Sequence, residues 1–155
     1  MVLGIFDDAF LARYGCLGLE LEKQPLCCSA LRGSELAQTD ELGFEDLHGQ
    51  KLMLIEQGWN ESTDKLRALI EAEHPAIEII DFPMFNASVY NQCANEDLVM
   101  ATYGFWNDVH PMLKTVATNW GLSATYGLIY SPNADERTLE LIEALKEEVD
   151  APSAA

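Results

Sequence analysis

Short apolar runs alternate with amphipathic helical patterns along this chain, and no other feature restricts its fold so strongly. Val2–Phe6, Lys51–Ile55 and the segments 25–31, 77–82, 98–102 and 124–130 read as strands. Continuous apolar runs of this kind suit strands covered on both faces of a sheet. Between them, Asn60-Glu61-Ser62-Thr63-Asp64 supplies a helix cap and early acids at the positive end of a helix dipole. Leu66, Leu69 and Ile70 then form an apolar stripe that stops near His74-Pro75. Asn133 with Glu136 three residues later matches a capping box, followed by Leu139, Ile142, Leu145 and Val149 on one face. Shorter helices are expected over 87–94 and 43–47. The alternation predicts an α/β protein. Val2–Phe6 is expected to be a buried opening strand with nothing before it to cover it. The pattern therefore predicts a covering partner chain, or a piece of a larger domain.

At 155 residues and 48% hydrophobic, the chain can bury one core or two small lobes sharing a hinge. Its 26 acidic residues against 9 basic ones give a net charge of −17. Affinity for nucleic acid needs clustered Lys and Arg, and here the cations are scattered singly. Direct DNA contact by this chain is not expected on that ground. The opening Met-Val-Leu-Gly-Ile-Phe-Asp-Asp lacks the basic start of a secretory signal, and no run approaches the ~18 apolar residues of a membrane span. A cytoplasmic location is expected, and the tail 151–155 is expected to fray.

Cys16, Cys27, Cys28 and Cys93 fit that location. Cys27 and Cys28 are adjacent, so on a strand they point to opposite faces and cannot chelate together. His48, His74 and His110 are far apart and none falls at ligand spacing to a cysteine. No metal, cofactor or catalytic set is expected. The chain carries no phosphate loop, dinucleotide fingerprint or Gly-x-Ser-x-Gly elbow.

Four stretches carry a resemblance. Residues 19–37 read Leu-Glu-Leu-Glu-Lys-Gln-Pro-Leu-Cys-Cys-Ser-Ala-Leu-Arg-Gly-Ser-Glu-Leu-Ala, residues 42–55 read Leu-Gly-Phe-Glu-Asp-Leu-His-Gly-Gln-Lys-Leu-Met-Leu-Ile, residues 98–104 read Leu-Val-Met-Ala-Thr-Tyr-Gly, and residues 126–130 read Tyr-Gly-Leu-Ile-Tyr. In order and spacing they resemble the effector-binding domain of LysR-type transcriptional regulators. Ser34-Glu35-Leu36-Ala37 departs at two positions from the family's His-Pro-Leu-Ala. The resemblance implies a type 2 periplasmic-binding-protein-like fold with a small-molecule cleft between two α/β subdomains. Residues 23–107 would form the complete subdomain. Residues 1–22 and 108–150 would form an incomplete one, with its first half and a winged helix-turn-helix absent.

In open parallel sheets ligands bind at the carboxyl ends of strands, where helix amino termini offer free N–H groups. Gln57, Gly58, Trp59 and Asn60 occupy such a turn, and the family's effector contacts fall in the equivalent loop. Thr102 ends another strand, and Tyr103, Gly104, Phe105, Trp106 and Asn107 at that end are expected as the floor of an aromatic-lined pocket and the return hinge. Asn86 opens a third helix, and Asp7 ends the first strand. The expected function is a non-enzymatic sensor for a small carboxylate or aromatic effector, self-associating, with DNA contacted only through a separate domain. The alternatives are a free-standing solute-binding or enzyme domain of the same fold, or an interaction module using exposed strand edges.

Overall fold

The computed structural model describes residues 1–152, so 153–155 of the expected frayed tail lie outside the described residues. In chain order the elements are β1 (Val2–Phe6), α1 (Asp8–Tyr14), β2 (Leu17–Leu31), β3 (Glu41–Leu42), β4 (Lys51–Ile55), α2 (Glu61–Glu73), β5 (Glu78–Phe82), α3 (Ala87–Asn95), β6 (Val99–Tyr103), β7 (Leu113–Thr118), β8 (Ser123–Tyr130) and α4 (Glu136–Asp150). Single 3-10 turns occupy Leu36–Gln38, Glu45–Leu47 and Gly104–Trp106. The fold is mixed α/β, and the chain divides into two units. Met1–Lys23 with the segment from Ala124 onward forms one, and Gln24–Ser123 the other. The return crossing thus comes later than the expected residue 107. β7 stays with the second unit because Cys28↔Val116 to Leu31↔Leu113 pair it with β2, and Glu41↔Ala117 pairs it with β3.

The second unit is built around β4, which lies between β5 and β6 and runs parallel to both, with Leu52 opposite Ile79 and Val99. Leu52, Met53, Leu54 and Ile55 are each at most 1% exposed, as a central parallel strand demands. On its other edge β6 pairs antiparallel with β2, Leu26 facing Tyr103. The crossovers β4–α2–β5 and β5–α3–β6 step in opposite directions along the sheet. Such crossovers are right-handed, so the two helices cover opposite faces. Val89, Tyr90 and Cys93 of α3 pack with Met53, Ile55 and Met100. Leu52 and Leu54 alternate with those side chains and face the side of α2, whose Leu66 and Ile70 are buried.

In the first unit β1 pairs antiparallel with β8, from Val2↔Ile129 to Phe6↔Thr125. β1 is not the buried strand expected, because Val2 and Leu3 are 61% and 58% exposed and only β8 pairs with it among the described residues. Asp7 and Asp8 do not end a strand in solvent. Asp7 caps α1, its Oδ1 accepting from Phe10 N at 2.7 Å, and Gly15 closes that helix at φ +61°. The expected Asn133 capping box is replaced by Asp135, whose Oδ1 accepts from Thr138 N at 2.8 Å. That bond holds the Asp135 carboxyl below its usual range.

Candidate functional site

Because β4, β5 and β6 are parallel, their last residues, Ile55, Phe82 and Tyr103, finish at one edge of the sheet. The connections leaving the neighbouring strands β4 and β5 lead to opposite faces, which opens a crevice at that edge. Two helix amino termini and the Gly104–Trp106 turn converge there.

The turn after β4 is held by its own polar groups. Gly58 sits at φ +92°, a conformation that disfavours a Cβ. Its N–H donates to Asp64 Oδ1 at 2.9 Å. Asn60 is 4% exposed and caps α2, its Oδ1 accepting from Ser62 N at 2.9 Å and from Ser62 Oγ at 2.6 Å. Since Ser62 Oγ donates to Asn60, the Tyr103 hydroxyl, 3.1 Å away, donates to Ser62. This buried relay fastens the start of α2 to the end of β6.

An aromatic cluster fills the space beside it. Trp59 lies 6.1 Å from Tyr103 and edge-on to Phe85 at 5.5 Å between ring centroids. Phe85 in turn meets Trp106 at 4.4 Å and Phe82 at 4.9 Å. Phe105 packs on Trp106 at 4.7 Å. Burial pushes the Tyr90 phenol up, while the Thr102 hydroxyl beside it works in the opposite direction.

A cavity of about 330 Å³ opens on this cluster, lined by Phe85, Asn86, Ala87, Tyr90, Asn91, Trp106, Val109 and His110. Asn86 caps α3, its Oδ1 accepting from Val89 N at 3.1 Å. Met112 N donates to His110 Nδ1 at 3.2 Å, which leaves the proton on Nε2. That N–H donates to Asn91 Oδ1 at 3.0 Å. The volume falls at the lower end of the range for small-molecule pockets.

The residues singled out from the sequence have different fates. Gln57 and Gly58 are exposed, Trp59, Gly104 and Phe105 are half-buried, and Asn86 lines the cavity. Thr102 and Tyr103 are fully enclosed, so they shape the site from behind. Asp7 belongs to the other unit. Trp106, expected in the aromatic floor, lines the cavity, whereas Tyr90, Asn91, Val109 and His110 were not expected as lining, because α3 and the loop after β6 meet only through packing. The structure also brings His48 Nε2 to 3.1 Å from His74 Nδ1, a pair that spacing along the chain did not suggest.

At the opposite edge, a second cavity of about 590 Å³ is lined by Gly33, Ser34, Gln50 and the carboxylates of Glu35, Asp46 and Asp97, among others. Cys27, Cys28 and Cys93 are buried, and burial pushes their thiols up, Cys93 to about 12. Among the described residues no helix is long and apolar enough to cross a membrane.

No protein-family model matches the chain, and no curated protein matches it. Solved structures do. The regulatory domain of CcmR from Synechocystis PCC6803, in complex with 2-PG, matches with a TM-score of 0.65 at 10% identity, over 87% of this chain and 67% of that one. The effector-binding domain of QuiR, in complex with shikimate, matches with a TM-score of 0.61 at 14% identity, over 95% and 68%. Full-length CbnR complexed with its target DNA matches with a TM-score of 0.67 at 10% identity, over 88% and 50%. The chain spans about two thirds of the isolated domains and half of the full-length regulator. The matching regions are effector-binding domains of LysR-type regulators, and this chain has their periplasmic-binding-protein-like fold.

Proposed function

We propose that this chain is the effector-sensing part of a LysR-type transcriptional regulator and binds a small molecule at the carboxyl ends of β4, β5 and β6. One observation carries the reading. The aromatic cavity sits at the strand-end crevice where this sheet topology favours ligands, and it is lined by Asn86, Trp106 and their neighbours. Gln57, Gly58 and Trp59 flank it as secondary contacts, while Asn60, Thr102, Tyr103, Gly104 and Phe105 hold its walls. Binding, not catalysis, suits a site whose polar groups are chiefly neutral amides and hydroxyls. The buried cysteines are held as thiols, which makes them poor nucleophiles.

With so few and scattered cations, this surface is a poor partner for DNA, and DNA reading belongs to a separate winged helix-turn-helix domain. The effector acts by binding one arrangement of the regulator better than another. Self-association through the exposed edge of β1 is part of the proposal. Thermal-shift screening of small aromatic and carboxylate compounds tests the sensor reading. A stabilising hit whose effect disappears in Trp106→Ala is expected. A panel with no hit, or a hit indifferent to that substitution, would argue against it.

A further inference from the structure

We infer that the ligand of this site is an uncharged aromatic compound bearing a hydrogen-bond acceptor, such as an amide or ketone carbonyl. The inference rests on the proposed function and narrows it, setting aside the small carboxylate that the sequence left open. Phe85, Tyr90 and Trp106 give the cavity ring faces and edges, and Val109 adds an aliphatic wall. Such walls favour a flat, apolar body. At about 330 Å³ the space suits one or two rings.

The polar lining is neutral and donating. Asn86 Oδ1 is taken by Val89 N, and Asn91 Oδ1 by the His110 Nε2–H. Each oxygen thus has one of its two lone pairs occupied, while the side-chain amide N–H groups of both residues make no hydrogen bond among the described residues and are what they chiefly offer a ligand. An acceptor on the ligand answers them.

Charge separates a neutral acceptor from a carboxylate. None of the lining residues is Lys or Arg. None of the unit's cations lines the cavity, although Arg32 is held beside it, donating to Asp108 and to Pro111 O on either side of the lining residues Val109 and His110. Arg32 pairs with Asp108, Lys65 with Glu61 and Arg67 with Asp81. Lys114 bonds Ala37 O, and Lys51 begins β4 at the opposite edge. The turn before α2, the other place where backbone N–H groups converge, already holds an anion of its own, since Gly58 N donates to the Asp64 carboxylate. A ligand carboxylate would meet that negative charge instead of an open set of donors. Burying a carboxylate against aromatic walls without a cation forfeits its hydration.

Titrating 1-naphthamide and 1-naphthoate into the full chain, by calorimetry and tryptophan fluorescence, compares one ring system in two charge states. At least tenfold tighter binding of 1-naphthamide is expected. Trp106→Ala should weaken it at least tenfold, and Asn86→Lys should shift the preference toward 1-naphthoate. Circular dichroism checks that both variants are folded. Naphthoate binding as tightly as the amide overturns the charge inference and leaves the ligand-binding reading standing. Binding of neither removes both. Amide binding undiminished in Trp106→Ala, with Asn86→Lys leaving the preference unchanged, puts the ligand outside this cavity and overturns the inference.

Discussion

Replacing Tyr103 by Phe and Ser62 by Ala, singly and together, tests whether the amino end of α2 and the carboxyl end of β6 form one structure. Tyr103 is fully buried and Ser62 is 5% exposed, so their hydrogen bond at 3.1 Å is shielded from water. Tyr103→Phe keeps the ring against Trp59 and Trp106 and removes one donor. A buried neutral hydrogen bond contributes about 1 kcal/mol net, which sets the expected loss. Ser62→Ala removes the acceptor of that bond and the donor to Asn60 Oδ1 at 2.6 Å, for an expected loss of about 2 kcal/mol. Once Ser62 is gone the phenol has already lost this acceptor, so the double variant should fall short of the sum by about 1 kcal/mol. Urea unfolding followed by tryptophan fluorescence reads the right unit, because Trp59, Trp106 and Trp120 all lie in Gln24–Ser123. Losses that add to within about 0.3 kcal/mol would refute the relay.

Further outcomes follow from the same geometry. Gly127→Ala drives a Cβ into the Leu19 carbonyl, a backbone obstacle that cannot rotate away; a loss of about 3 kcal/mol is expected, read as faster hydrogen exchange in β8 and the first half of β2. Unchanged exchange would contradict the packing. Cys28 and Cys93 should resist a disulfide reagent at pH 8 until the protein unfolds, with the half-buried Cys16 reacting first. The Cys93 thiol keeps its proton up to about 12 when folded and only to its ordinary 9.0 when unfolded. Its contribution is therefore complete below 9.0 and fades as pH rises toward 12, so Cys93→Ala should flatten the alkaline fall in the urea midpoint. Light scattering after size exclusion should show a dimer or larger species that Val2→Lys shifts toward monomer; a wild-type monomer would remove β1 as a pairing edge.

Local signals were legible where one residue type decides the conformation. The Asn60 cap, the stripe of Leu66 and Ile70, and the unbroken Leu52–Ile55 run each name their element, and the bounds of α2 and β4 follow. Other signals were present but compete with simpler readings. Asp7 with Phe10 three residues on and Gly15 beyond spells a short capped helix, yet adjacent Asp7 and Asp8 also read as a solvated strand end. Leu113–Thr118 alternates weakly, and its pairing with β2 is what makes it a strand. At the site, the strand-end rule points to the 57–60 and 102–107 loops, but not to what lies between them. Asn91 and His110 are 19 residues apart and meet through the packing of α3 against the loop after β6. Asp64 reads as a helix-dipole acid, and only the turn of the chain shows that it bonds Gly58 N.

The account stands on ligand binding at the carboxyl ends of β4, β5 and β6. Amide chemical-shift mapping of the isotope-labelled chain during a 1-naphthamide titration reads that location residue by residue. Saturable shifts centred on residues 57–60, 85–91 and 103–110 are the predicted result. Shifts confined to residues 30–36 and 97–99, around the cavity at the opposite edge, would contradict it, as would a spectrum that does not move.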